Sequence, residues 1–270
     1  MQQNDEKLYE NMKDVRHKIV VLSGKGGVGK STVAVNLAAS LAARGLKTGI
    51  LDVDIHGPSV PTLLGLSRER MGGSGENRIV PIEYSPMLKA VSVGFILEKE
   101  EDAVIWRGPL KFNVIRQFLT DVEWGELDYL IIDSPPGTGD EVLAACQLLP
   151  DPDGAVVVTT PQDVALCDVA KSITFCGKVS LPVIGVVENM SGYVCPHCGL
   201  ESALFKKGGG IRISETMNVP FLGSIPLSPA VVYGGDSGNP VLQAGDFEEA
   251  VVSAFQSVVD RVLEFSNSPV

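Results

Sequence analysis

Short apolar runs alternate with longer amphipathic ones along most of the chain. Residues 17–22 (HKIVVL) predict a buried strand, and residues 33–44, rich in small apolar side chains, predict the helix after it. Gly45 stands where a helix C-cap would. Residues 48–51 predict a second strand, closing on Asp52-Val53-Asp54, and His56-Gly57-Pro58 then turns into a short helix through Leu64. The stretch 67–104 is less regular. Residues 72–75 (GGSG) read as a flexible loop tip, and 78–83 and 88–93 alternate enough to predict a hairpin at a sheet edge. Helical spacing returns at 109–120, with Leu110, Val114, Ile115 and Phe118 apolar. An apolar strand at 129–133 ends in Asp133, and the pattern recurs as strand 155–158, helix 164–176 and strand 183–187. A last strand is expected at 221–225 and an amphipathic helix at 246–264. Short apolar strands separated by helices predict an α/β fold, a mostly parallel sheet flanked by helices on both faces. Residues 1–16 read as a charged lead-in, flexible or helical, and 17–266 as one domain without linker or repeat.

The first strand and helix enclose Gly24-Lys25-Gly26-Gly27-Val28-Gly29-Lys30-Ser31-Thr32. Glycines let backbone N–H groups converge on an anion, and a helix N-terminus adds positive potential. Gly24, Gly29, Lys30 and Ser31 match G-x-x-x-x-G-K-[ST], the P-loop; Gly24, Gly26 and Gly29 also match the dinucleotide fingerprint G-x-G-x-x-G, with Asp52 at a suitable distance. Lys30 and Ser31 decide between them. An ammonium for the β/γ-phosphates and a hydroxyl for Mg²⁺ are P-loop requirements, and the dinucleotide fingerprint needs neither. The expected fold is therefore a single-domain P-loop NTPase.

Two more strands end in acids that should meet this loop at the carboxyl edge of the sheet. Asp133, followed by Ser134-Pro135-Pro136-Gly137-Thr138-Gly139-Asp140, fits the acid that helps to hold Mg²⁺ and its waters. Asp52 and Asp54 point to the same side if their strand persists, and only one of them need face the nucleotide. Lys25 is not required by a generic P-loop. It is either a solvated lysine or a charge that reaches a phosphate, in its own subunit or across a dimer interface.

Composition narrows the setting. The 270 residues carry a net charge of −11, which does not suggest non-specific nucleic-acid binding or docking on an anionic membrane. No apolar run reaches the roughly 18 residues of a bilayer span, and the first eleven residues are polar, so a cytoplasmic location is expected. Five cysteines, three of them single residues in predicted helices, suit a reducing compartment. Cys146, Cys167 and Cys176 read as small core residues. Cys195 and Cys198 instead form a Cys-x-x-Cys pair in the loop 193–200, with His197 as exposed spacing. Two thiolates suit a soft metal centre but do not complete the four ligands of a [4Fe–4S] cluster or a structural zinc. The shortfall suggests a symmetric site with two cysteines from each of two chains. A cluster, a zinc ion and a redox dithiol all remain open for the pair.

The stretch Lys-Gly-Gly-Val-Gly-Lys-Ser-Thr resembles the deviant Walker A motif of the family that includes MinD, ParA and the nitrogenase iron protein. More closely, the chain resembles the Mrp/ApbC branch of iron–sulfur cluster carriers. The matching segments are 52–59 (DVDIHGPS), 106–109 (WRGP), Trp124-Gly125, Asp128-Tyr129, 133–140 (DSPPGTGD), 160–162 (TPQ), 188–191 (ENMS), 195–199 (CPHCG) and 221–227 (FLGSIPL). The resemblance implies that Gly26 to Thr32 hold the ATP phosphates, with Ser31 on Mg²⁺, and that Lys25 is the signature lysine completing a partner's nucleotide site. It implies Asp54 near the attacking water, Asp133 near the outer shell of the metal, and Asn189 on adenine. It also implies a homodimer that bridges a labile [4Fe–4S] cluster through Cys195 and Cys198 and passes it to apo iron–sulfur proteins. Zinc in the same site is an alternative, as is a ParA/MinD-type positioning ATPase. A nitrogenase-type reductase would need a more stable site than a pair in a glycine-flanked loop. Residues 1–19 contain no cysteine, so the second cluster of longer relatives is not expected.

Overall fold

The computed structural model describes residues 2–74, 78–96, 108–195, 198, 200–241 and 247–267. The sequence features that fall on Gly75, Trp106, Arg107, Pro196, His197, Gly199 and Asp246 lie outside the described residues.

The lead-in is helical. Helix α1 (Gln2–Met12) buries Leu8 and Met12 and passes into β1 (Val15–Ser23). Helix α2 (Lys30–Ala43) follows the glycine loop, and Gly45, just past its end, takes φ +81° as the C-cap reading requires. Strand β2 (Thr48–Asp52) and the single-turn α3 (Val60–Leu63) come next. The irregular stretch is where the structure departs most from the pattern. Residues 72–74 are not a loose tip but β3 (Gly72–Ser74), paired antiparallel with β4 (Arg78–Val80) in a small separate sheet. Pro81, which has no N–H to donate, ends β4, so the predicted strand 78–83 is two strands. The edge hairpin itself is present, formed by β5 (Ile82–Ser85) and β6 (Leu88–Ser92).

The remaining core elements are α4 (Gly108–Thr120), β7 (Leu127–Asp133), α5 (Asp140–Leu148), β8 (Gly154–Thr159), α6 (Asp163–Lys178) and β9 (Val183–Glu188). A two-residue hairpin, β10 (Tyr193–Val194) and β11 (Glu201–Ser202), leads to α7 (Gly209–Met217), β12 (Phe221–Ser224), α8 (Pro229–Asp236) and α9 (Glu249–Ser266). Among the described residues the main sheet has eight strands in the order β12-β9-β8-β1-β7-β2-β6-β5, parallel except for the last pair.

Strand periodicity divides the core between the two faces. In β1, Ile19 and Val21 pack with Val33 and Leu37 of α2 and with Phe255 and Val259 of α9. Their neighbours Val20 and Leu22 pack on the opposite face with Ile115 and Phe118 of α4 and Val142 of α5. Beyond β1, α6 and α7 cover Val157 and Val186. A sheet buried on both sides explains strands that are apolar at every position. Among the described residues, no helix is long and apolar enough to cross a membrane.

Candidate functional site

The carboxyl ends of β1, β2 and β7 converge on a cavity of about 570 Å³. Its walls include residues 25–32, Asp54, Ser59, Thr62 and Pro136. The glycine loop is fixed from behind. A Cβ on Gly24 would lie 2.4 Å from the backbone of Asp168 in α6, so the residue there must be glycine. Gly29 is left-handed at φ +79°, and Asn189 packs against it so tightly that a Cβ would approach its amide nitrogen to 2.2 Å. The amide of Asn189 donates to the carbonyl of Val28 at 2.9 Å. Asn189 is thus a buried prop beneath the loop and is not among the residues lining the cavity. Helix α2 begins at Lys30, three residues earlier than the apolar pattern suggests. Lys30, Ser31 and Thr32 therefore form its first turn, where unpaired N–H groups and the helix dipole favour an anion.

Lys30 is buried and ion-paired with Asp133, which is fully buried at the end of β7. The Lys30 ammonium also donates to the hydroxyl of Ser31 at 3.2 Å. One oxygen of Asp133, Oδ2, is buried without a hydrogen-bond partner. An unpartnered buried carboxylate oxygen is costly. Set near the Ser31 hydroxyl through their shared contact with Lys30, this donor set of hard oxygens fits a Mg²⁺ ion or its waters.

Asp52 and Asp54 part company. The strand ends at Asp52, so the alternation that would have aimed both at the nucleotide stops there. Asp52 turns inward and accepts hydrogen bonds from the N–H groups of Asp54 (3.0 Å) and Val60 (3.3 Å) and from the Ser92 hydroxyl (3.1 Å). Complete burial, reinforced by the charge of Asp133 in register beside it, raises its pKa to about 8. Asp52 is thus a structural acid that organises the 53–60 loop. Asp54 lines the cavity and accepts from Gly57 N at 3.2 Å, and burial raises its pKa too. Lys25 also lines the cavity, half-exposed, and its carbonyl accepts from the Ser23 hydroxyl at 3.1 Å.

Away from the cavity, Cys195 and Cys198 lie between β10 and β11, with Cys195 N–H donating to the Leu200 carbonyl at 3.0 Å. Cys195 is half-buried and Cys198 exposed. The hairpin is firmly seated. Leu227 N–H donates to the Gly192 carbonyl and Ser191 N–H to that of Ile225. The fully buried Glu188 accepts from the Ser191 hydroxyl (2.5 Å) and from the N–H groups of Gly208 (2.9 Å) and Gly210 (2.5 Å) at the start of α7. Among the described residues, no three His, Cys, Asp or Glu side chains converge as a metal site. The other cysteines fit the core reading unevenly. Cys176 is buried and Cys146 half-buried, but Cys167 is exposed. Nine residues separate Cys167 from Cys176, about two and a half helical turns, which puts them on opposite sides of α6.

Sequence reasoning missed Glu188 as an anchor, and it missed the cluster of His56, Lys111 and Glu141 beside the cavity. A carboxylate just before Asn189 was visible, but the loop whose N–H groups it binds lies about 20 residues further on.

Comparison with known proteins places these features in company. The family model described as ParA: NUBPL iron-transfer P-loop NTPase matches residues 14–263. The iron-sulfur cluster carrier protein of Methanocaldococcus jannaschii is 48% identical over 264 residues, covering 97% of this chain and 89% of that protein. The cytosolic Fe-S cluster assembly factor NUBP2 of Bos taurus is 47% identical over 258 residues, covering 94% of each. Among solved structures, a nucleotide-binding protein from Archaeoglobus fulgidus in complex with ADP, with cobalt found in it, superposes with a TM-score of 0.79 at 37% identity. That match covers 93% of this chain and 96% of the other. The MinD cell division protein of Aquifex aeolicus shares the fold at a TM-score of 0.65 and 21% identity, over 94% of this chain and 98% of that one.

Proposed function

Because the chain belongs to the family of NUBPL-type iron-transfer P-loop NTPases within the ParA group, we propose that it is an ATP-hydrolysing carrier of a labile [4Fe–4S] cluster. In this reading two copies hold the cluster between them through Cys195 and Cys198 and transfer it to apo iron–sulfur proteins. The observation that carries the reading is the presence, in one chain, of a P-loop cavity and a seated hairpin offering two thiols, half of a four-thiolate set. The carrier and assembly-factor names of relatives near half identity support the cargo, and the ADP complex of the Archaeoglobus relative supports the nucleotide.

The chain's own residues supply the chemistry as follows. Residues 26–32 hold the phosphates by backbone N–H groups and the dipole of α2. Lys30 exchanges the Asp133 carboxylate for a phosphate oxygen. Asp133, released, and the Ser31 hydroxyl would hold Mg²⁺ or its waters, and the ion would supply charge neutralisation. Asp54 orients the attacking water, and Lys25 reaches the nucleotide of the partner. Asn189 holds the phosphate loop from beneath through Val28, which leaves its carbonyl oxygen for the adenine amino group beyond the phosphate cavity. Catalysis is positioning and electrostatics, as phosphoryl transfer requires. Hydrolysis acts on the geometry of the dimer rather than on the iron.

The test is transfer. After anaerobic reconstitution with iron and sulfide, the parent protein is expected to activate an apo-acceptor, and the double variant Cys195→Ala/Cys198→Ala to fail. Equal binding and transfer by the variant would refute the carrier function.

A further inference from the structure

Three side chains from three elements meet just outside the phosphate cavity: His56 from the loop after β2, Lys111 from α4 and Glu141 from α5. Lys111 Nζ lies 2.6 Å from His56 Nε2 and 2.5 Å from Glu141 Oε1. His56 Nε2 is itself 3.7 Å from that carboxylate oxygen. Lys111 and Glu141 are 17% and 14% exposed, whereas His56 is 59% exposed. An ammonium has donors only, so His56 must accept through Nε2 and carry its proton on Nδ1. Burial works against the charge of Glu141, yet Lys111, the backbone N–H at the start of α5 and His56 together hold the carboxyl below the ordinary glutamate range. The first turn of α5 adds favourable dipole at the same spot.

What the three residues join gives the cluster its meaning. His56 is two residues beyond Asp54, which lines the cavity. Glu141 stands in the first turn of the helix after the 134–139 loop, whose Pro136 lines the cavity and whose Gly137 N–H donates to the Ser23 carbonyl at 2.8 Å. These two loops come from different strands, and α4 touches both through one lysine. A half-buried ammonium stripped of either acceptor is left poorly solvated, so a displacement of one loop is felt by the other.

We propose that Lys111 is a positioning residue that clasps the 53–59 loop to the 134–140 loop, so that both respond together to the nucleotide. The clasp rests on the nucleotide-driven function proposed above and adds the device that couples its two phosphate-sensing loops. It touches no reacting atom. Its loss lowers turnover without much change in nucleotide affinity.

Hydrogen–deuterium exchange with Mg²⁺ and a non-hydrolysable ATP analogue reads the coupling directly. In the parent, both loops are expected to gain protection over the same concentration range. In Lys111→Met the 134–140 segment should lose most of that response while the P-loop keeps its own. Steady-state kinetics should show kcat reduced about tenfold with KM for ATP within about twofold, and Lys111→Arg should recover much of the loss. His56→Ala, at an exposed position, should lower kcat similarly, and adding Glu141→Gln to it should cost little more than the larger single effect. Parallel protection and unchanged kcat in Lys111→Met and His56→Ala would overturn the clasp while leaving the ATPase standing. Absence of any protection in the parent at saturating analogue would overturn both.

Discussion

Lys25 and Lys30 share one loop, yet their settings differ enough for their replacements to fail in different ways. Lys30 is buried against Asp133 at the start of α2, and Lys25 is half-exposed on the rim of the cavity. Lys30→Ala is expected to reduce phosphate release at least about a hundredfold, because it removes a preorganised cation from the developing charge. Lys25→Ala should retain much of the nucleotide binding and lose turnover; turnover equal to the parent would remove the inter-subunit role of Lys25. Lys30 was legible in the sequence because motif spacing fixes it, whereas Lys25 stood out only as a lysine that a generic P-loop does not require. The division between Asp52 and Asp54 was not legible, since it depends on where β2 stops, and only the Asp52 hydrogen bonds to Val60 and Ser92 reveal that it turned inward.

At the scale of elements, periodicity was a good guide for the longer segments that pack on the sheet and missed the shorter α5 and α7, which pack on it too. The strands from β1 to β9 that carry the site, together with α2, α4, α6 and α9, follow the apolar pattern because each buries a continuous face. It failed where structure is held by backbone hydrogen bonds at a distance. The β3–β4 pair and the β10–β11 hairpin have too few side chains to leave a period, and α7 and α8 are short and glycine-containing. The elements also set thiol reactivity. Burial between helices and sheet raises the Cys146 thiol to about 11 and the Cys176 thiol to about 12. At pH 8 both should alkylate with iodoacetamide on the order of a hundredfold more slowly than exposed Cys198 and Cys167. Peptide mass spectrometry over a time course checks this, and equal rates for Cys176 and Cys198 would contradict the packing of α6.

At the scale of the molecule, the phosphate loop and the cysteine hairpin both call for the two-fold symmetry of the proposed carrier. Lys25 stands on the rim of the nucleotide cavity, and the Cys195/Cys198 hairpin offers two ligands where a cluster takes four. In the proposed carrier, a two-fold axis beside the hairpin would complete the second shortfall without any further residue. The most direct measurement is the stoichiometry of the reconstituted protein, read by native mass spectrometry under anaerobic conditions. One [4Fe–4S] cluster per two chains is expected, about two iron atoms per chain, with cluster and dimer mass lost together in Cys195→Ala/Cys198→Ala. A cluster on each separate chain, or the same iron content in the variant, would contradict it.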